Sequence, residues 1–286
     1  MLEEILELIR LASADLPRDV EQALFKAVET EEPGSVAELS LKQILENVTL
    51  AREKSLPLCQ DTGSLHFYLH LPYAQDPRPL QQAVREAVKL AVKNYYLRPN
   101  AVDPLYGHNS EDEESDGHPS FYINHWDNEE TRIDLLLKGG GCENVSAQFS
   151  LPYAQLKAER NMEGVFRCVM EAVVKAQGQG CPPGILGVGV GGDRAGSLLL
   201  AKKQLMRPLT DKNPEPLLAE FEERLLSQIN QLGIGPLGLG GKTTILGVKM
   251  AHLHRLPASY FVSVSYMCWA CRRRSLTIRE GNYYYA

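Results

Sequence analysis

The pattern of hydrophobic and polar positions is helical at the start of the chain. Apolar residues recur at intervals of three and four positions in seven segments, which predicts amphipathic helices. These segments are 2–12, 18–31, 36–53, 78–97, 159–177, 194–206 and 214–232. Pro33-Gly34 separates the second from the third, and Pro99 and Gly178 follow the ends of two later ones. Residues 1–55 are therefore expected to be a mainly helical lead-in.

Strand patterns follow this lead-in. Alternating or continuous apolar runs predict strands in "SLHFYLHL", "SFYINHW", "TRIDLLLKG", "TTILGVKMAHL" and "SYFVSVSYM". The second and third are expected to form a hairpin across "DNEE", and "GILGVGVGG" is either a short buried strand or a glycine-lined turn. The elements lack the regular alternation of a doubly wound sheet. The prediction is an α+β fold, one domain over 1–286, with a mixed region over 56–286.

Composition and charge exclude several classes of function. The 286 residues are 44% hydrophobic and 23% charged, with a formal net charge of −6. This mild acidity argues against a nucleic-acid partner, and the one basic run, "CRRRS" (271–275), is expected to be a solvated face. The N-terminus lacks the features of a signal peptide, and no stretch reaches the roughly 18 apolar residues of a membrane span. A cytoplasmic protein without a membrane partner is expected.

Candidate chemistry begins with the six cysteines. In a reducing compartment they are expected to be buried thiols, nucleophiles or metal ligands rather than disulfides. Cys268-Trp-Ala-Cys271 is a single C-x-x-C pair, which is a weak zinc signal. "PLCQDTG" places Cys59 two residues before Asp61, between Pro57 and Gly63. That turn is either an ordinary loop with a buried thiol or a metal ligand beside an acid–base group.

Two glycine runs resemble nucleotide-binding motifs without the required context. Gly187-Val-Gly189-Val-Gly191-Gly192 has Arg207 where the dinucleotide motif needs an acid. "GIGPLGLGGKTT" has Pro236 where a P-loop needs glycine. Both runs still predict a close approach of bare backbone to a neighbour, for which small anionic groups are candidates. A third run, "KGGGCEN" (138–144), is either a wide turn or an oxyanion-binding loop.

Five stretches together carry a family resemblance. They are "PLCQDTG" (57–63), "KGGGCENVS" (138–146), "CPPGILGVGVGGD" (181–193), "GIGPLGLGGKTT" (233–244) and "PASYFVSVSYMCWA" (257–270). In order and spacing they resemble the α chain of class I, iron–sulfur-dependent fumarate hydratases, a family that includes the α subunit of L-tartrate dehydratase. The resemblance runs from about residue 10 to 275. It implies a hydro-lyase acting on a small dicarboxylate, with fumarate expected first and tartrate second.

The resemblance also implies a cofactor. Class I enzymes hold a [4Fe–4S] cluster on three cysteines, which leaves one iron open to the substrate. The matching positions here are Cys59, Cys181 and Cys268. The remaining thiols are expected to act as ordinary small apolar side chains; they are Cys142, where the family more often has serine, Cys168 and Cys271.

Substrate contacts follow from the same resemblance. Gln60 and Asp61 match the substrate-contacting pair, and Asp61 is a candidate proton donor or acceptor, the alternative being a turn-forming aspartate. Arg98 matches a carboxylate-binding arginine, the alternative being a residue that ends its helix favourably. Gly140 and Gly141 would offer N–H groups to a carboxylate.

Two departures concern the substrate, and a third concerns the partner. Leu256 stands where the family often has a substrate-binding histidine, and "EDEESDGHP" replaces an Asn-rich loop. Single-chain members continue into a second domain, so the chain resembles the two-subunit arrangement, in which a β subunit completes the site in a hetero-oligomer. The chain alone is then expected to be inactive. The alternatives are a non-catalytic cluster-binding paralogue and, least favoured, a zinc- or nucleotide-binding module.

Overall fold

A computed structural model describes residues 1–286. Its helices are α1 (Leu2–Ala14), α2 (Arg18–Thr30), α3 (Val36–Lys54), α4 (Arg78–Lys93), α5 (Gly140–Asn144), α6 (Met162–Ala176), α7 (Arg194–Gln204) and α8 (Pro216–Asn230). Its strands are β1 (Ser64–Pro72), β2 (Ser120–Trp126), β3 (Thr131–Lys138), β4 (Ala147–Ser150), β5 (Gly184–Gly191), β6 (Ile245–Leu253), β7 (Phe261–Met267), β8 (Arg272–Arg279) and β9 (Asn282–Tyr285). The predicted α+β class and the helical lead-in are confirmed.

The chain divides into two compact units. Unit 1 comprises residues 1–17, 46–140 and 270–286, and unit 2 comprises residues 18–45 and 141–269. The single domain expected over 1–286 stays a prediction. None of the eight helices combines the length and the apolar character that crossing a bilayer requires.

Unit 1 is built on a five-stranded sheet in the order β2-β1-β3-β8-β9. One face of this sheet packs with α1 and α4 around an apolar core. Alternation along β1 directs its leucines and Phe67 into this core. The α4 helix ends at Lys93, before the predicted residue 97, because Tyr95 adopts a left-handed backbone (φ +62°).

The predicted hairpin between β2 and β3 is wrong. β1 lies between them, pairing in parallel with β2 and antiparallel with β3. The physical reason lies in burial, because β1 is largely buried on both faces whereas β2 contains no buried residue. A strand covered on both faces is most stable in the interior of a sheet, and a less buried strand belongs at its edge.

The basic run is not a solvated face, so that expectation is also wrong. It opens β8, which lies between β3 and β9 in the sheet. Arg272 and Arg273 are buried, and Arg274 donates to Asp15 and to the main-chain oxygen of Leu16, both at 2.9 Å. These guanidinium groups therefore bind internal acceptors instead of water.

Unit 2 is built on a four-stranded sheet in the order β4-β7-β5-β6, in which β5 and β6 run parallel. Helix α7 packs directly on the glycine-rich strand β5. A Cβ atom at Gly187 would lie 2.0 Å from the Ala201 oxygen, and one at Gly189 would lie 2.2 Å from the Ser197 oxygen. The glycines of this run therefore admit a helix of the protein itself rather than a dinucleotide.

Candidate active site

The turn that carries Cys59, Gln60 and Asp61 leads into β1 in unit 1. Its buried Thr62 accepts hydrogen bonds from the Arg98 N–H (3.2 Å) and from Asn100 Nδ2 (2.7 Å). Gly63 closes the turn with φ +81°, and a Cβ there would lie 2.7 Å from the Lys138 carbonyl carbon. Only glycine allows both the conformation and the approach. The turn is thus fixed by two separate loops.

Asp61 has a defined position at the edge of this turn. Its Oδ1 accepts the Gly63 N–H at 3.1 Å, which is the turn-forming bond expected of an aspartate. Its Oδ2 lies 3.8 Å from the point where a Cβ of Gly140 would stand. The side chain is half-buried, and Oδ1 holds the turn.

Arg98 lies beside the same turn. Its Nη1 donates to the Gln60 main-chain oxygen at 3.1 Å, and its side chain is exposed. Because α4 already ends at Lys93, Arg98 does not end a helix. Within unit 1 the structure therefore brings Arg98 together with the Cys59 turn.

A buried carboxylate from the acidic insert supports the Arg98 loop. Glu113 accepts hydrogen bonds from the main-chain N–H groups of Asn100 and Ala101, the latter at 2.9 Å. Burial raises the pKa of Glu113, and these two hydrogen bonds partly offset the rise. The departure from the family's usual loop is thus used inside unit 1, and no motif in the sequence signalled this role.

In unit 2, Cys181 occupies an uncommon backbone conformation. Its φ is +50°, in the left-handed region that costs a residue with a side chain about 1–2 kcal/mol. Its N–H donates to the Gly178 oxygen at 3.1 Å, and its own oxygen accepts the Trp269 N–H at 3.2 Å. The second bond joins the loop of Cys181 to the residue that follows Cys268.

Tyr266 packs on the same loop. A Cβ at either Gly180 or Gly184 would lie 2.5 Å from an atom of the tyrosine ring, so both positions require glycine. Burial strongly raises the pKa of the Tyr266 hydroxyl, and charge on three nearby thiols would raise it further, those of Cys268, Cys142 and Cys181. The ring therefore stands among three cysteines of unit 2, a feature that sequence reasoning missed.

The six thiols differ in their access to solvent. Cys181 is exposed and Cys59 and Cys268 are half-buried, whereas Cys142, Cys168 and Cys271 are buried. Burial raises the pKa of Cys168 to about 12, which keeps it protonated. No three His, Cys, Asp or Glu side chains are gathered as the ligands of a single metal ion are. The accessible trio nevertheless has the donor chemistry that an iron–sulfur cluster needs, which is thiolate.

The second glycine run binds an anion that belongs to the protein. The Glu31 carboxylate accepts the Lys242 N–H at 2.9 Å and the Thr243 N–H at 2.8 Å. This carboxylate fits the expectation of a small anionic group beside bare backbone. The nucleotide-binding alternative gains nothing from this loop, because Glu31 already uses its N–H donors.

Comparisons with known proteins agree with the motifs. A family model described as fumarate hydratase (Fumerase) matches residues 2–277. The chain belongs to the fumarate hydratase family. A protein named as a class I fumarate hydratase in Geobacillus stearothermophilus is 43% identical over 97% of this chain. The chain spans only 55% of that relative's length.

Other relatives of the chain are named as α subunits of L(+)-tartrate dehydratase. The Methanocaldococcus jannaschii protein is 36% identical, and the matched region covers 94% of this chain and 94% of that relative. The Escherichia coli K12 protein is 30% identical over 97% of this chain and 90% of its own. The resemblance read from five motifs is therefore confirmed as family membership.

The predicted site residues of this family member fall in both units. Cys59, Gln60, Asp61, Arg98 and Gly140 are in unit 1, and Gly141, Cys181 and Cys268 are in unit 2. Gly140 and Gly141 open the short helix α5 instead of lying in a wide turn.

Leu256 lies in an open loop of unit 2. Its side chain is 75% exposed. Arg255 Nη1 donates to three main-chain oxygens of this loop, including Leu256 at 3.0 Å. His252 and His254 line a cavity of about 660 Å³ together with Arg255. The loop backbone is therefore held by Arg255, independently of the side chain at position 256.

Proposed function

We propose that this chain is the cluster-binding α subunit of a hydro-lyase that interconverts fumarate and malate, with a separate β subunit completing the site. The observation that carries the proposal is the accessibility of the thiols. The three cysteines at the family's ligand positions are the three that are not buried. A fold that kept all six as packing residues would have no reason to leave this set open.

The proposed ligands are Cys59, Cys181 and Cys268. A bound [4Fe–4S] cluster would supply an open iron, a Lewis acid for a carboxylate and a hydroxyl. The left-handed backbone at Cys181 supports this assignment, because strained conformations of residues other than glycine concentrate at functional sites.

The residues of unit 1 have matching roles in the proposal. Hydration adds a hydroxyl group to one carbon of the double bond and a proton to the other, and each carbon bears a carboxylate. Asp61 is proposed to give or take the proton at carbon, since its half-buried carboxylate lies on the same turn as Cys59. Arg98 is proposed to bind a substrate carboxylate with its guanidinium, and Gln60 to contact the substrate beside it.

Gly140 and Gly141 complete the substrate contacts in this proposal. Both residues are exposed at the start of α5, and their N–H groups are proposed to donate to a substrate carboxylate. The transition state for proton transfer next to a carboxylate carries extra negative charge, which N–H donors stabilise. The nearness of Asp61 Oδ2 to Gly140 supports this pairing of a proposed donor with a proposed acid–base group.

L-tartrate is the second candidate substrate. Its support is the match over nearly full length to two proteins named as L(+)-tartrate dehydratase α subunits. Tartrate differs from malate by one further hydroxyl group, so the same carboxylate contacts would serve both. Leu256, where the family often has a histidine, is the position at which substrate choice is proposed to differ.

Cluster binding is tested by anaerobic reconstitution with iron and sulfide. Brown protein with broad visible absorbance is expected, and serine at Cys59, Cys181 or Cys268 should abolish it. Cys271→Ser is the matched control, because Cys271 lies close to Cys268 in the sequence but is buried. Loss of the cluster in the Cys271 variant, with retention in the Cys181 variant, would show that the ligand set is wrong.

Activity is tested on the reconstituted chain with and without the β subunit. The pair is expected to dehydrate malate to fumarate, and the ultraviolet absorbance of the double bond monitors the reaction. The α chain alone is expected to be inactive. Faster turnover of tartrate than of malate would favour the second candidate. Turnover of fumarate by the α chain alone would refute the two-subunit proposal.

A further inference from the structure

The basic run at the start of β8 buries an arginine directly behind the Asp61 turn. Arg272 is 1% exposed and is the largest of the fully buried side chains. Its Nη1 donates to the Asp61 main-chain oxygen. Its Nε is buried without a hydrogen-bond partner. Enclosing a guanidinium group in this way is costly, so the arginine is expected to have a function that an apolar residue would not provide.

The side chains of Asp61 and Arg272 also come close together above Gly139. A Cβ at this position would lie 2.9 Å from Asp61 Oδ2 and 3.2 Å from Arg272 Nη2. The carboxylate oxygen and the guanidinium nitrogen therefore both occupy the space above this glycine. The backbone of Gly139 is not in the left-handed region, so glycine is required here for space and not for conformation.

We propose that Arg272 is a positioning residue for Asp61. Its guanidinium fixes the main chain of the turn, and its second nitrogen confines Oδ2 to the side that faces Gly140. The significance of this for turnover rests on the proposed function, in which Asp61 moves a proton. A misplacement of about 1 Å at a reacting group can lower a rate by about 100-fold, which is why such a support matters.

The test uses four variants of the reconstituted α–β complex. Arg272→Gln removes the charge, Arg272→Lys keeps it with fewer donors, and Gly139→Ala adds one methyl group against the Asp61 carboxylate. Arg274→Gln is the matched control, because Arg274 lies in the same strand and donates instead to Asp15 and Leu16. A purely structural arginine should behave like this control.

We expect Arg272→Gln to lower kcat about 10- to 100-fold, with KM for malate within about 2-fold of wild type and cluster absorbance unchanged. Arg272→Lys should recover part of the loss. Gly139→Ala should lower kcat with little change in Tm, because the atom it displaces ends a flexible side chain. Arg274→Gln should lower Tm and leave kcat per cluster at the wild-type value.

An activity-independent readout is amide hydrogen exchange in a peptide covering residues 58–64. Exchange should be faster in Arg272→Gln than in wild type, and unchanged in Arg274→Gln. Equal exchange and equal kcat in the two arginine variants would overturn the inference. Wild-type turnover by Asp61→Asn would instead overturn the proposed role of Asp61, while hydrogen exchange would still report on Arg272.

Discussion

Replacing Glu31 by alanine would test how the glycine loop of unit 2 is held. Glu31 is 6% exposed and follows α2. Its carboxylate accepts the Lys242 N–H through both oxygens, at 2.9 and 3.0 Å, and the Thr243 N–H at 2.8 Å. A Cβ at Gly241 would lie 3.0 Å from Oε2, so the backbone is drawn closely around the carboxylate.

The magnitude follows from two main-chain donors that would lose a charged acceptor. Each such hydrogen bond contributes about 1.5–3 kcal/mol, which sets an upper range of about 3–6 kcal/mol for the pair. The Lys242 side chain is 55% exposed, so water can reach part of the loop and replace some of the lost hydrogen bonding. We expect Glu31→Ala to lower the free energy of unfolding by about 2–4 kcal/mol, or Tm by about 5–15 °C.

Urea and thermal unfolding of the wild type, Glu31→Ala and Glu32→Ala measure this effect. Glu32→Ala is the matched control, because the neighbouring Glu32 side chain is 79% exposed and lies 4.0 Å from Lys242 Nζ. Its change should stay within about 0.5 kcal/mol, as for most surface substitutions. Acetate should raise the Tm of Glu31→Ala more than that of wild type, because the small anion can occupy the freed N–H donors.

Two results would refute this reasoning. If Glu31→Ala unfolds like Glu32→Ala, the carboxylate does not hold the loop. If Glu31→Ala is destabilised but acetate has no greater effect on it than on wild type, the N–H groups do not form an anion site when the side chain is removed.

Three further predictions concern burial in both units. The pKa of Glu113 is raised above its ordinary value of 4.5, so stability should fall as pH rises from that value through the folded pKa, and Glu113→Gln should remove this slope in pH-dependent urea unfolding. Iodoacetamide labelling followed by mass spectrometry should modify Cys181 in the native chain and Cys168 only after unfolding, since the latter is buried with a pKa of about 12; equal rates would contradict the burial. Gly187→Ala should destabilise unit 2 by about 1–3 kcal/mol or more in thermal unfolding, because its Cβ would lie 2.0 Å from the Ala201 oxygen; an unchanged Tm would show that α7 can move away at no cost.

Local patterns predicted most of the helices and strands, and tertiary competition decided the rest. The amphipathic periods of α1 and α4 were readable because each helix buries one face. Pairing between strands was not readable, since "DNEE" allows a hairpin that β1 displaces by offering a more buried partner. The basic run misled for a related reason, because only the sheet shows that Arg272 lies against internal acceptors.

The geometry of the candidate site was predictable where its residues are adjacent in sequence. Cys59, Gln60 and Asp61 lie on one turn, so a single motif contains them. Arg272 is 211 residues from Asp61 and belongs to no motif, and its contact depends on the pairing of β3 with β8. Contacts of that kind arise from the fold and have no periodic signal in the chain.

The two departures from the family pattern differ in what they can change. Glu113 is fully enclosed and binds the main chain of Asn100 and Ala101, so the acidic insert acts on the support of Arg98 rather than on a ligand. Leu256 is exposed on a loop whose carbonyl groups Arg255 holds, so a different side chain there would leave the loop in place. A substitution that spares the backbone and projects into the open can alter the surface of the loop without altering how the chain folds. The side chain at position 256 can therefore change while its loop stays in place, whereas the carboxylate at position 113 is bound to the backbone that follows Arg98.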